Sequence, residues 1–385
     1  MTIPRFVTLL LATIGLLAIA SPSLATPSLA TSAGAQPEGR PDSRPGNRPG
    51  MRVSTIAFKV PGGSEGVTIA GVLETPIEPS GDDSPRPTLV LLAGPRSNTR
   101  DGVEAGRPRL RLLADAMLKQ GFAVVRYDKR GAGESTGDLD KATTEDLASD
   151  TLAIIRHLRG RDEVDPDRIA IVGHGEGGVI GYILAGAEDG PACVVSLAGA
   201  GIDGRGVIND QLVTNMRWLE TPEEGIRDMR DLQDAFLMSV IEDAPRDKQR
   251  EMLTDLTYRQ YGGQVSMLRA EQIAETSLEW FHLPWTKTFL TLDPSEKLGK
   301  AKRPVLVLLG ALDIEVSDER NAEPLRKAIE RSGVAGSEVR VLPGKNHHFQ
   351  NAETGWYGEY EAIEHAFAPD VPEIIGRWLR VQFGG

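Results

Sequence analysis

The chain contains a single cysteine, Cys193, which excludes an internal disulfide and a thiolate metal cage. Histidine is scarce as well, at six in 385 residues, so proton chemistry near neutral pH has few places to sit. Positive charge is in deficit. Lys and Arg total 43 against 55 Asp and Glu, a net charge of −12, and no basic stripe invites nucleic acid. The apolar stretch Phe6 to Ala20 falls short of the ~20 residues of a membrane helix. No internal repeat is found. What remains is ordinary globular composition, 40% hydrophobic and 25% charged, long enough for one large α/β domain or two small ones.

Arg5, the apolar stretch and the small-residue site Ser23-Leu24-Ala25 together read as a secretory signal peptide over residues 1–25. The alternative is an uncleaved anchor. No cysteine follows the cleavage site to carry a lipid. Export to a periplasm or the cell exterior is expected, with no stable membrane span after cleavage. Residues 26–50 are rich in Pro, Gly, Ser and Ala without hydrophobic period, and read as a disordered linker.

From Val53 onward, apolar strand runs alternate with helical periods. The spacing predicts strands at Val53–Val60, Val67–Leu73, Leu89–Leu92, Ala123–Tyr127, Ile169–Val172, Ala192–Leu197, Val305–Leu309 and Val339–Leu342. Helices are expected over Leu110–Leu118, around Leu147–Leu158 with a Thr143/Asp146 capping box, over Gly177–Ala187 and over Val371–Val381. Such alternation predicts an α/β fold with a mostly parallel sheet and helices on both faces. Residues 51–201 and 302–385 would form that core. Between them, residues 202–301 lose the strand signal and become helical, with Trp218, Trp280, Trp285 and several methionines. This insertion reads as a helical cap. Its apolar residues could line a pocket, or simply pack helices together.

Residues 173–178, Gly-His-Gly-Glu-Gly-Gly, follow the strand Ile169–Val172 and open a helix. That strand–turn–helix is where hydrolases mount a nucleophilic serine in the pattern G-x-S-x-G. Here the central residue is Gly175, which has nothing to attack with. In a working site the N–H of the next residue, Glu176, would donate to an oxyanion. Asp313 follows the strand Val305–Gly310, as the acid that orients a histidine would, although a turn-capping Asp looks the same. His347 follows Leu342-Pro343-Gly344 on the loop after the last strand, in the place of a general base, and His348 is its rival. The order of nucleophile position, acid and base is that of one serine hydrolase fold among several.

On these residues the chain resembles the α/β-hydrolases of the serine aminopeptidase-like esterase group. Val67–Gly71, the loop Tyr127-Asp128-Lys129-Arg130-Gly131-Ala132-Gly133-Glu134-Ser135, Leu309-Gly310 with Asp313 and Val316, and Asn346-His347 with Phe349-Gln350 all carry the resemblance. It implies cleavage of carboxylic esters or small amides with no metal or cofactor. It also exposes two departures. The elbow would read G-H-S-E-G-G, so only the serine is changed. In the loop Leu92–Gly102, Pro95 falls where the resemblance places the other oxyanion N–H, and proline has none. A one-residue slip would hand that role to Arg96.

The expectation is therefore a non-catalytic or severely impaired hydrolase-fold protein that binds a small ester-like or apolar ligand, or a partner. The alternative is a working hydrolase in which His347 and Asp313 activate water, or a displaced Ser97 attacks. A metal held by His174, His347, His348, Asp313 and Glu176 is the weakest alternative, because the spacing matches no metal motif. Of the other histidines, His157 is expected on a solvated helix face, His282 packed among aromatics, and His365 exposed.

Overall fold

We describe a computed structural model of the chain at residues 53–77, 84–95, 99–262 and 264–384. The signal peptide and linker expected over 1–25 and 26–50 lie outside the described residues, as do Arg96 and Ser97.

The strands are β1 (Val53–Pro61), β2 (Thr68–Pro76), β3 (Arg86–Leu92), β4 (Val103–Glu104), β5 (Arg107–Pro108), β6 (Ala123–Tyr127), β7 (Val164–His174), β8 (Cys193–Leu197), β9 (Val305–Gly310) and β10 (Glu338–Leu342). All but β4 and β5 join one sheet in the order β1-β2-β6-β3-β7-β8-β9-β10. β1 and β2 pair antiparallel, β2 pairs antiparallel with β6, and the rest run parallel. The α/β fold with a mostly parallel sheet is as the alternation predicts.

Side chains alternate across the sheet. Val90, Leu92, Val125, Ile171 and Val307 face one core, while Leu89, Leu91, Val124, Val172 and Leu308 face the other. Helix α1 (Arg109–Leu118) packs Leu113 and Met117 into the second core. Helices α2 (Thr144–Leu158) and α3 (Glu176–Ala185) pack Leu147, Ile154 and Ile180 into the first. Each such fully buried aliphatic side chain contributes ~1.5–3 kcal/mol before entropy is counted. The box at the start of α2 is formed, with Thr143 Oγ1 accepting from Asp146 N at 3.2 Å and Thr143 N donating to Asp146 Oδ2 at 2.9 Å.

The chain then enters a helical stretch: α4 (Gly204–Trp218), α5 (Glu223–Ile241), α6 (Arg246–Gln260), α7 (Met267–Phe281), α8 (Pro284–Thr291) and α9 (Pro294–Leu298). Residues 208–287 form a compact unit of their own, and the described residues before 208 and after 287 form the other. Within the helical unit, Phe236 and Phe281 meet edge to face at 4.7 Å. Gln233 Nε2 donates to Ile208 O at 3.2 Å. No helix among the described residues is long and apolar enough to cross a membrane. After β9 come α10 (Asp318–Ser332), α11 (Glu359–Ala362) and α12 (Asp370–Gln382), the last burying Ile375 and Leu379 in the second core.

Two histidine expectations need correction. His157 is not solvated: it is half-buried and stacks on Phe58 at 5.5 Å, because β1 runs beside its helix. His282 is not packed among its aromatic neighbours. It is the exposed C-cap of α7.

Candidate functional site

β3 lies between β6 and β7, so the chain leaves it toward one side of the sheet and later returns on the other. Open α/β sheets place their sites at the carboxyl ends of strands at such a switch point. β7 ends there on His174, and the turn to α3 passes through Gly175 at φ +53, ψ −115. Its N–H donates to Leu197 O at 2.8 Å. The strained backbone of a nucleophile elbow is thus kept without the nucleophile. A Cβ built on Gly175 would meet nothing nearer than Gly94 Cα and Pro95 Cδ, both at 3.6 Å, which is ordinary contact. A serine side chain would fit.

Pro95 therefore presents a ring carbon, Cδ, beside the elbow. Gly94 is held from the other side, its carbonyl accepting from Lys129 Nζ at 2.5 Å. Lys129 also reaches Glu176 Oε2 at 3.1 Å, and Glu176 Oε1 accepts from Thr144 Oγ1 at 3.0 Å. Both charged side chains are buried. Glu176 is thus committed to fixing the elbow against two neighbouring segments.

Asp313 sits just past β9 and accepts from the backbone N–H groups of Glu315 and Val316, each at 2.8 Å. Its carboxylate faces His347 Nδ1 at 2.9 and 3.1 Å. These two residues make the acid–histidine pair. The unexpected neighbour is Glu315. Its Oε2 stands 3.9 Å from His347 Nε2, the nitrogen that would otherwise face a serine hydroxyl. Tyr360 donates its hydroxyl to Glu315 Oε1 at 3.0 Å and steadies that carboxylate.

The electrostatics follow. Burial alone would lower the His347 pKa, but the charges of Asp313 and Glu315 outweigh it and raise it to about 10. Glu315 itself is raised by burial, against the pull of His347. Asp313 and Glu315 both favour the protonated form of His347. His174 and His348 go the other way. Burial, with the charge of His347, lowers His174, whose Nε2 lies 3.0 Å from His347 O. Burial and the Arg109 charge hold His348 far below the usual range.

Residues 65–350 match the family described as X-Pro dipeptidyl-peptidase (S15 family), serine hydrolases of the α/β-hydrolase clan. The chain belongs to that family. An uncharacterized 31.7 kDa protein of the traX-finO intergenic region of Escherichia coli is 24% identical over 274 residues, covering 70% of this chain and 84% of that one. Among solved structures, the Pyrococcus furiosus esterase Pf2001 superposes with a TM-score of 0.51 at 14% identity, covering 86% of this chain and 91% of its own. A DcsB complex with its substrate analogue gives a TM-score of 0.53 at 16% identity, covering 86% and 100%. These structural likenesses speak for the α/β-hydrolase fold.

Of the residues singled out in the sequence, Gly175, Glu176, Pro95, Asp313 and His347 converge at the strand ends, while Arg96 and Ser97 lie outside the described residues. His348 turns away from Asp313 and toward Glu104, with Nε2 3.6 Å from Oε2. No three histidine, cysteine or acidic groups among the described residues are arranged to hold a metal ion. Glu176 is engaged with Lys129. Sequence reasoning passed over Glu315, Tyr360, Glu104 and Arg109. Glu315 stands two residues after Asp313, and a carboxylate so close to the acid was the available signal. Nothing in the sequence brings Tyr360 or Glu104 to the same place.

Proposed function

We propose that this member of the S15 family is a binding protein that turns over no ester or amide by the serine route. The carrying observation is at the histidine: His347 Nε2 faces the Glu315 carboxylate, and position 175 offers it no hydroxyl. A protonated imidazole cannot take a proton, so neither a serine nor a water is activated at neutral pH. The same fact weighs against direct water activation by His347 and Asp313. The ligand is a small ester-like or apolar molecule, and the protein is exported, as the amino-terminal sequence suggests.

The test compares the protein as it stands with Gly175→Ser and with Gly175→Ser/Glu315→Gln on p-nitrophenyl esters and small anilides. Silence of the first, with activity appearing in the double variant, supports the reading. Steady turnover by the unaltered protein that His347→Ala abolishes would end it.

A further inference from the structure

Behind the histidine loop lies a chamber that the triad geometry does not use. It is lined by Gly94, Glu104, Arg109, His174 and His348, with Leu113 and Phe367 among its apolar walls. Its volume is about 20 Å³, more than the ~10–15 Å³ that one water needs. Arg109 is 4% exposed and His348 is 7% exposed. Arg109 Nη1 donates to Ala366 O at 2.6 Å. Its Nε and Nη2 have no acceptor among the described residues, nor has His348 Nδ1 a partner. Nε and Nη2 share one edge of the planar guanidinium, the edge that grips an oxygen with two N–H groups. Buried donors without acceptors are rare in folded proteins, and costly.

The partners already present fix what each lining group can still do. His174 Nε2 sits against His347 O at 3.0 Å, so it carries the hydrogen and leaves Nδ1 as an acceptor. With its hydrogen on Nε2, toward the Glu104 carboxylate 3.6 Å away, His348 has Nδ1 as an acceptor too. The residues lining the chamber therefore carry two unpartnered donors and two ring-nitrogen acceptors. Arg109 and Glu104 already balance in charge, so an added anion would meet Glu104 uncompensated. The fitting ligand is neutral, with one carbonyl oxygen and N–H groups beside it.

We propose that this chamber binds a primary carboxamide group, its carbonyl oxygen on Arg109 and its N–H groups toward the ring nitrogens of His174 and His348. The proposal goes beyond the binding reading above and stands whether or not the elbow is catalytic. A space this small takes the amide end of a ligand and not a whole drug-sized molecule.

The experiment titrates the full protein with formamide and acetamide, with acetate and acetone as controls, and follows the Arg109 Nε–H and histidine ring signals by NMR. Three non-hydrogen atoms limit formamide to a dissociation constant of ~1 mM at best, so millimolar saturation is the expected result. Acetate and acetone should leave both signals still. Arg109→Met risks unfolding, so the deciding variant is Gly94→Ala. The added methyl would sit 3.5 Å from Glu104 Oε1 and 3.6 Å from His174 Nδ1, inside the chamber and without a clash. It should weaken amide binding at least ~10-fold, which corresponds to ~1.4 kcal/mol. Three results would overturn the proposal: no saturable shift, meaning the chamber holds water only; acetate binding as well as acetamide; or amide binding that Gly94→Ala leaves intact.

Discussion

Restoring the serine alone should not restore an enzyme. Gly175→Ser places its Cβ in ordinary contact with Gly94 and Pro95, on a backbone already at φ +53, so the elbow has room for the side chain. Its base is the obstacle. With the His347 pKa at about 10, the neutral imidazole needed at pH 7 is only ~10⁻³ of the population. A serine nucleophile is worth roughly 10⁶ in a working triad. The misprotonated base removes ~10³ of that, because only the neutral imidazole can accept the proton. If Pro95, and not Arg96, stands at the second oxyanion donor's place, its missing N–H removes a further ~10²–10³. Almost nothing is left at pH 7. Glu315→Gln removes one of the two charges holding the proton and leaves Asp313 to orient the ring through Nδ1. The double variant should therefore hydrolyse p-nitrophenyl butyrate at pH 7 up to ~10³ times faster than Gly175→Ser alone, since that is the factor the misprotonation removed. The single variant should instead gain rate about tenfold per pH unit, levelling off near pH 10. Rates corrected for alkaline background decide it. If Gly175→Ser alone is as fast as the double variant, with a flat profile from pH 6 to 9, the argument from the imidazolium is wrong.

Other outcomes follow from the same contacts. His347 binds its proton more tightly folded than unfolded, so its contribution to stability is complete below pH ~6.5 and disappears as pH rises through about 10. Urea unfolding should show a loss on the order of a few kcal/mol across that window, and Glu315→Gln should flatten the slope. Lys129→Met strands the buried Glu176 carboxylate, and should cost ~3–5 kcal/mol in the same assay. A loss below ~1 kcal/mol would mean that the pair behaves like a surface bridge. Gly133→Ala would put its Cβ 2.5 Å from the Asp128 carboxylate at φ +51, so stability should fall by ~1–3 kcal/mol, with a lower midpoint. An unchanged midpoint would show that this loop can yield.

The strands of the sheet were legible because parallel strands buried on both faces read as unbroken apolar runs, as in Ile169–Val172 and Val305–Leu309. β7 begins earlier than such a run predicts. Its opening residues Val164 to Arg168 are mostly polar and include Pro166, and β3 pairs with them only across a register shift between Arg86 and Thr88. Helix α10 escaped notice, since only Asn321, Ala322, Leu325 and Ala328 are buried along it and Pro324 interrupts its pattern. The β4–β5 hairpin is too short to carry any period. At the site, the acid and the histidine were readable from their places after strands. Glu315, Tyr360, Glu104 and Arg109 were not, because their importance comes from tertiary proximity and no local pattern encodes it. The loop Asp128–Ser135 was visible as a resemblance, but its job was not. Asp128 binds the Arg100 side chain at 2.6 Å and the Arg100 and Glu134 backbone N–H groups at 2.7 and 3.0 Å, tying together the loops beside the site.

The elbow glycines show why a signature can outlast its chemistry. A Cβ on Gly177 would lie 2.7 Å from Leu92 Cβ and Leu92 O, and one on Gly173 would lie 2.1 Å from Gly177 O. One on Gly178 would strike Ser196 Oγ at 2.2 Å. These glycines let α3 approach β3, β7 and β8, a packing requirement that holds whether or not a serine stands between them. Gly175 is different, since its Cβ position is open and only its positive φ penalises a side chain. Gly175→Ala should therefore cost ~1–3 kcal/mol, the strain of a positive-φ backbone alone. Gly177→Ala must displace backbone and should cost more, or abolish folding. Urea unfolding of the two variants side by side tests this. If Gly175→Ala proves the more damaging, position 175 is held as glycine by packing after all, and the missing hydroxyl says nothing about what the site was built to do.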